Sequence, residues 1–354
     1  MKNITLLFAL ILVSTHLLLS KILTVPQEHS TIQSAIDAAQ NSDTVLVSEG
    51  TYYENIRYKG KGILVASNYM YTKDWHTVQN TVINGSTCVN KDTASTVQFL
   101  DKEDSTAILD GFTITGGTGT RYMFPYGTGL SGFQEGAGIV LHYSSAIIRN
   151  NIIVNNYVRP QGGVSRGGGG GIASMYGNPT IINNIITGDS AAYAGGVVLN
   201  WSDGKILNNI IYHNVGGNTN GTGWGSGAVM IQEPNPTNSA FVENNTIIGN
   251  ISLTSGFTGG IDINGTPNGI PGAPFVCNNI VWANRQPSGS QINQTQYCSY
   301  NDVEDYSSGT NISAFPQLQE GAFLLSTTSP CIDAGDPSAL YSDIENPSNL
   351  GMAL

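Results

Sequence analysis

Arginines and aromatic residues gather in a few stretches of an otherwise acidic chain. Residues 118–135, 157–167, 216–226 and 251–258 carry Arg121, Tyr122, Phe124, Tyr126, Phe133, Tyr157, Arg159, Arg166, Trp224 and Phe257. A shorter stretch, 190–194, adds Tyr193. Aromatic faces stack on sugar rings, and guanidinium forks pair with carboxylates. Three of the fourteen Lys and Arg residues fall in these stretches, so the combination suits an acidic polysaccharide. β-Elimination at a uronate needs a base for the C5 proton and a cation to stabilise the enolate-like carboxylate. Arg159, Arg166 and Arg121, with Glu135, are the catalytic candidates; Tyr122, Tyr126, Tyr157, Tyr193 and Trp224 are the substrate-binding ones. No cofactor is required. Calcium is the alternative cation, with Glu135, Asp189 or Asp262 as oxygen ligands.

Inverting hydrolysis is the second reaction class, and it needs two carboxylates roughly 6.5 to 9.5 Å apart. Glu135, Asp189, Asp203, Glu233 and Asp262 are available, but no two are adjacent in sequence. A further aromatic column, Tyr143, Tyr176 and Trp201, recurs five residues past a strand-opening glycine and would form a flat sugar-binding strip or simple packing. Asp333 and Asp336 are candidates for a structural calcium ion. His142 and His213 each stand alone, and no zinc spacing occurs. The rival to any enzyme is a non-catalytic β-helix module for adhesion or structure at the cell surface.

Charge narrows the partners. Residues 1–170 hold twelve basic and twelve acidic side chains, whereas residues 171–354 hold two and thirteen. Phosphate backbones demand clustered Lys and Arg, so nucleic acid is excluded. Lys2 followed by the apolar runs 6–13 and 17–19 has the layout of a signal peptide over residues 1–20. A secreted or cell-surface monomer without stable membrane insertion is expected. Cys277 and Cys298 lie about one coil apart, either facing each other for a disulfide or staying as buried thiols.

The elements that must position these residues are written five times. Asn150-Asn151, Asn183-Asn184, Asn208-Asn209, Asn244-Asn245 and Asn278-Asn279 are each followed by two β-branched residues, and each sits two positions after Ile or Val. Six positions past the first Asn stand Asn156, Asp189, Asn214, Asn250 and Asn284. Asn tolerates left-handed backbone angles, and β-branched residues favour strands. Each unit reads as strand, Asn bend, strand, turn and Gly-led strand. The 25-residue interval between Asn184 and Asn209 is the bare coil, and the intervals of 33, 36 and 34 carry insertions. Self-similarity at this period means a solenoid. The fold expected is all-β, a single-stranded right-handed parallel β-helix over residues 21–354, with asparagine ladders along its axis. The insertions almost all follow the Asn strand, so they rise from one side and border a groove.

Ser30-Thr31-Ile32-Gln33 predicts a capping helix over residues 30–40, and strands follow at 44–47, 63–66, 81–83, 96–99 and 107–115. Thr31-Ile32-Gln33-Ser34-Ala35-Ile36 and Glu49-Gly50-Thr51-Tyr52-Tyr53-Glu54-Asn55-Ile56 resemble the opening of pectin-lyase-like β-helix proteins. Asp110-Gly111-Phe112-Thr113-Ile114-Thr115-Gly116-Gly117 looks like a coil of the same superfamily. Ser329-Pro330-Cys331-Ile332-Asp333-Ala334-Gly335-Asp336 is similar to the closing segment of exported bacterial β-helix repeat proteins, here residues 325–354. The resemblance covers nearly all of the chain after the leader and implies the fold. It leaves the chemistry open, because the superfamily holds lyases, hydrolases, esterases and proteins without known activity. The paired-Asp and Gly-His-Gly signature of polygalacturonases is absent, as are the motifs of pectin methylesterases. Arg159-Pro160 and Arg166 are similar to the Arg-x-Pro-x-x-Arg run of pectate lyases, with a different spacing.

Overall fold

A computed structural model describes residues 20–126, 129–158, 166–217, 225–232, 240–264, 275–319 and 323–338. The side chains of residues 124–131 and 166 fall outside that description, as do the leader and the end of the closing segment. Within it the chain winds into a right-handed parallel β-helix whose three long sheets contribute one strand each per coil. The pre-bend sheet has ten strands, from Ile22–Val25 through Ile147–Arg149 to Cys298–Ser299. The post-bend sheet has nine, from Gly50–Tyr52 through Ile152–Val154 to Asp302–Val303. The Gly-led sheet has seven, from Ile56–Arg57 through Ile139–His142, Ile172–Met175, Val197–Asn200 and Val229–Gln232 to Ile261–Asn264.

Register is in phase from coil to coil. Ile148 pairs with Ile181, which pairs with Ile206, then Val242, then Val276. These side chains point inward and fill a continuous core with Ile153, Ile186, Ile211, Ile247 and Val281 from the post-bend sheet. Strand residues alternate sides, so the same β-branched columns that favour strands also build the interior. The first Asn of each bend takes positive φ, 56° at both Asn150 and Asn183 and 53° at Asn208. The second Asn turns inward. Asn151 Nδ2 donates to Asn184 Oδ1 at 3.1 Å, Asn184 to Asn209 at 3.0 Å, and Asn209 to Asn245 at 3.0 Å. The backbone N–H of each also reaches the next amide oxygen. A second file runs through Asn156, Asp189, Asn214, Asn250 and Asn284 to Gln291.

Several local expectations shift. The capping helix is Ile32–Ala38, two residues shorter at each end than expected, with Thr31 as N-cap and Ser34 completing the box. Ile32, Ala35 and Ile36 are its buried face, as the apolar spacing required. The expected strand 107–115 divides into Ile108–Asp110 and Thr113–Thr115, because Gly111 turns the chain at φ +87°. Two short helices, Tyr69–Thr72 and Trp75–Asn80, occupy a turn where none was expected. Cys277 pairs opposite Ser299 and Cys298 opposite Val276. That one-residue offset sends the two side chains to opposite faces of the sheet, and all four cysteines are free thiols. Among the described residues no helix is long and apolar enough to cross a membrane.

Candidate functional site

Residues 118–135 form a hairpin rather than an open loop. Gly119–Tyr126 and Gly129–Glu135 pair antiparallel, with Thr93–Ala94 on one flank and Arg166–Gly168 on the other. This small sheet lies on the outer face of the Gly-led sheet. Phe133 and Tyr122 pack with Ala173, Val198, Met230 and Tyr193 in an apolar cluster separate from the solenoid core. Alternation along the hairpin then sorts its polar residues. Thr120 pairs with Glu135 and Tyr122 with Phe133, so these four share the inner face. Arg121 and Gln134 take the opposite face, and Arg121 sits 3.8 Å from Asp92. Arg121 is therefore turned away from Glu135, against the expected convergence. The backbone of Arg166 pairs opposite Phe133; Arg159, Trp224 and Glu233, and the side chains of Phe124 and Tyr126, lie outside the described residues.

Glu135 is fully buried. Asn200 Nδ2 donates to its two carboxyl oxygens at 3.1 and 3.2 Å, and the Tyr122 hydroxyl is its second partner. Burial pushes its pKa up to about 8, and the bonds from Tyr122 and Asn200 only partly offset that. Glu135 thus keeps its proton at neutral pH. The same burial, reinforced by Glu135, raises the Tyr122 phenol well above its usual range. His142 stands two coils below Asn200 in the same outward file, with Met175 between. Its ring centroid is 5.5 Å from Tyr122, and burial lowers its pKa, leaving a neutral imidazole. Sequence spacing could not reveal this residue, because its partners arrive through the hairpin and through a later coil.

From His142 the rings continue outward. Its centroid is 4.7 Å from Tyr143, which stacks on Tyr176 at 4.9 Å, and Tyr176 stacks on Trp201 at 5.3 Å. The last two pairs are 14° and 11° from parallel. Tyr143, Tyr176 and Trp201 therefore stand in one file, as the repeat demanded, but their faces are turned to one another. In place of a flat strip the outside meets ring edges and the open face at each end of the stack. Tyr193 is buried against Gly168 and Phe133, so it packs the hairpin down instead of meeting solvent. Tyr157 is half-buried and bridges to Ser190.

The calcium candidates do not come together. Asp189 Oδ1 accepts from Asn156 N at 2.7 Å and Asn156 Nδ2 at 3.0 Å. Its Oδ2 is buried without a partner, where Asn214 one coil on presents Nδ2 to the Ile186 carbonyl. An acid in that position must hold a proton to substitute for the amide, and burial does raise its pKa. Asp262 accepts from Thr258 N and Asn293 Nδ2, and burial lifts it to about 6. Asp333 is exposed at φ 56°, and Asp336 is engaged with Asn278 and Ser338. Among the described residues no three His, Cys, Asp or Glu side chains gather. These donors do not gather around one point among the described residues, and Asp343 and Glu345 of the closing segment lie outside them.

No family model and no curated protein matches the chain. Solved structures similar to it include the following two. Pectin methylesterase from Aspergillus niger shares 13% identity at TM-score 0.39, over 82% of this chain and 91% of that one. Alginate lyase from Paenibacillus sp. str. FPU-7 shares 12% identity at TM-score 0.26, over 72% and 97%. Likeness at this level concerns the winding of the chain and carries nothing about activity.

Proposed function

We propose that the protein binds an extracellular polysaccharide across the outer face of its Gly-led sheet and cleaves it by lyase-type β-elimination. The observation that carries this reading is the buried Glu135, bonded to Asn200 and Tyr122, with Tyr122 in ring contact with His142 at the start of the outer stack. A carboxylic acid that keeps its proton at neutral pH can deliver it to a leaving glycosidic oxygen. Tyr122 is the conduit: its hydroxyl bonds Glu135 and its ring is partly exposed, and when that bond reverses Glu135 gives its proton to the phenol oxygen as the phenol gives its own to the leaving oxygen. Neutral His142 is the group that takes the C5 proton. In this assignment Arg159 and Arg166 pair with the uronate carboxylate, while Arg121, held near Asp92, takes no part. No step runs through calcium. Export to the medium or cell surface and a monomeric state belong to the same proposal; sedimentation of the purified chain tests the latter.

The test is a panel of pectate, alginate and glycosaminoglycans, with ultraviolet absorbance of the unsaturated product followed with and without added calcium. Activity lost on His142→Ala and on Glu135→Gln supports the assignment. No absorbance rise and no retardation in any polymer gel rejects it. A second reading, a non-catalytic surface module, is favoured by one observation: Tyr193 is spent on packing and the rings of the outer stack are spent on each other. Polymer retardation without cleavage, unchanged in Glu135→Gln, selects that reading.

A further inference from the structure

Past Glu135 the outer face of the Gly-led sheet changes character. Register places Asn200, Gln232 and Asn264 in one file and Val198, Met230 and Asp262 in the next. Gln232 and Asn264 are half-buried. Neither basic residue beyond position 170 belongs to this sheet: Lys205 is in the pre-bend sheet and Arg285 bridges to Ile251.

Two buried polar atoms here lack a partner among the described residues. Asn200 is 2% exposed, and its amide oxygen accepts nothing. Thr258 is 3% exposed with an unpartnered hydroxyl, and its N–H donates to Asp262 Oδ2 at 3.2 Å. Buried polar atoms ordinarily find partners, and an orphan calls for one that the fold itself does not supply. Amide oxygens accept from sugar hydroxyls, amide N–H groups donate to them, and a carboxyl does either according to its proton. Two orphaned atoms, two further carboxamides and no cation suit an uncharged sugar better than a uronate.

We propose that the three coils from Asn200 to Asn264 form a subsite for a neutral, hydroxyl-rich sugar residue. It would hold the unit neighbouring the one acted on at Glu135, so the substrate mixes uronate and neutral sugars or branches to them. This rests on the polysaccharide reading above but can fail alone. The experiment is calorimetric titration of the full chain with neutral hexasaccharides (β-linked glucose and mannose oligomers) and with galacturonate and mannuronate hexamers. The expected result is saturable binding of a neutral hexamer, weakened about tenfold by Gln232→Ala and by Asn264→Ala. Gln232→Glu keeps the side-chain shape and, should an alanine variant misfold, is expected to weaken binding in the same way. Binding of uronate hexamers alone, or neutral binding untouched by these substitutions, overturns the subsite and leaves the uronate reading standing. Binding of neither class overturns both.

Discussion

Asn209 and Asn200 belong to the same coil and live in opposite regimes. Asn209 donates to the Ile181 carbonyl and to Asn245 Oδ1, and its own oxygen accepts from Asn184. Asn200 donates to Glu135 and leaves its oxygen unpaired, though it is nearly as buried. One amide is closed within the solenoid; the other faces a second layer made by an inserted hairpin. Repetition satisfies polar groups, because each coil supplies the partner that the previous coil lacks. The inserted layer has no such repeat, and there carboxyl, phenol and amide groups are left to perturb one another. The two asparagines are therefore told apart by completeness of bonding, and not by burial.

The largest effect expected from this contrast is on stability. Asn209→Ala strands the N–H of Asn184 and the carbonyl of Ile181, at about 1–3 kcal/mol for each unsatisfied group. Its chemical denaturation midpoint should fall far below that of Asn200→Ala, which loses one bonded pair. Equal midpoints would erase the distinction. Glu135 comes next. Folded, it holds its proton to about 8; unfolded, it releases it near 4.3. The folded state thus binds the extra proton between those values, and stability falls as pH rises across them. Glu135→Gln should flatten that decline by a few kcal/mol in thermal melts at stepped pH, while abolishing any lyase activity.

Asp189 sharpens the comparison from inside the amide file. Its folded pKa is also raised, so wild-type stability is fullest below about 4 and is lost as pH climbs. Asp189→Asn restores the missing donor and should raise the melting temperature, by more at pH 8 than at pH 4. A lower melting temperature at both values would mean that the carboxyl has a task the file does not reveal. The smallest effect separates two tyrosines. Tyr143→Ala should leave the fold within about 0.5 kcal/mol of wild type, as expected of an exposed side chain, and weaken polymer retardation. Tyr193→Ala should cost about 3 kcal/mol or more in unfolding free energy by emptying a buried site.

Much of this molecule was legible from Asn-Asn pairs, β-branched columns and glycine-led strands. Those patterns fix local backbone preference and side-chain alternation, and stacking identical units leaves one way to bury them all. Thus the β-helix, its register and the file through Tyr143, Tyr176 and Trp201 follow from spacing alone. What spacing could not decide is where an insertion lands. Residues 118–135 carried no repeat, so their hairpin, the placing of Glu135 under Tyr122 and the turning of Arg121 toward Asp92 depended on tertiary packing. The same holds for His142, a solitary histidine in sequence that gains its meaning from a phenol brought over it by that hairpin. Local chemistry determines a repeating scaffold because every coil meets its own copy; a site made where unlike segments meet is decided only by the fold that brings them together.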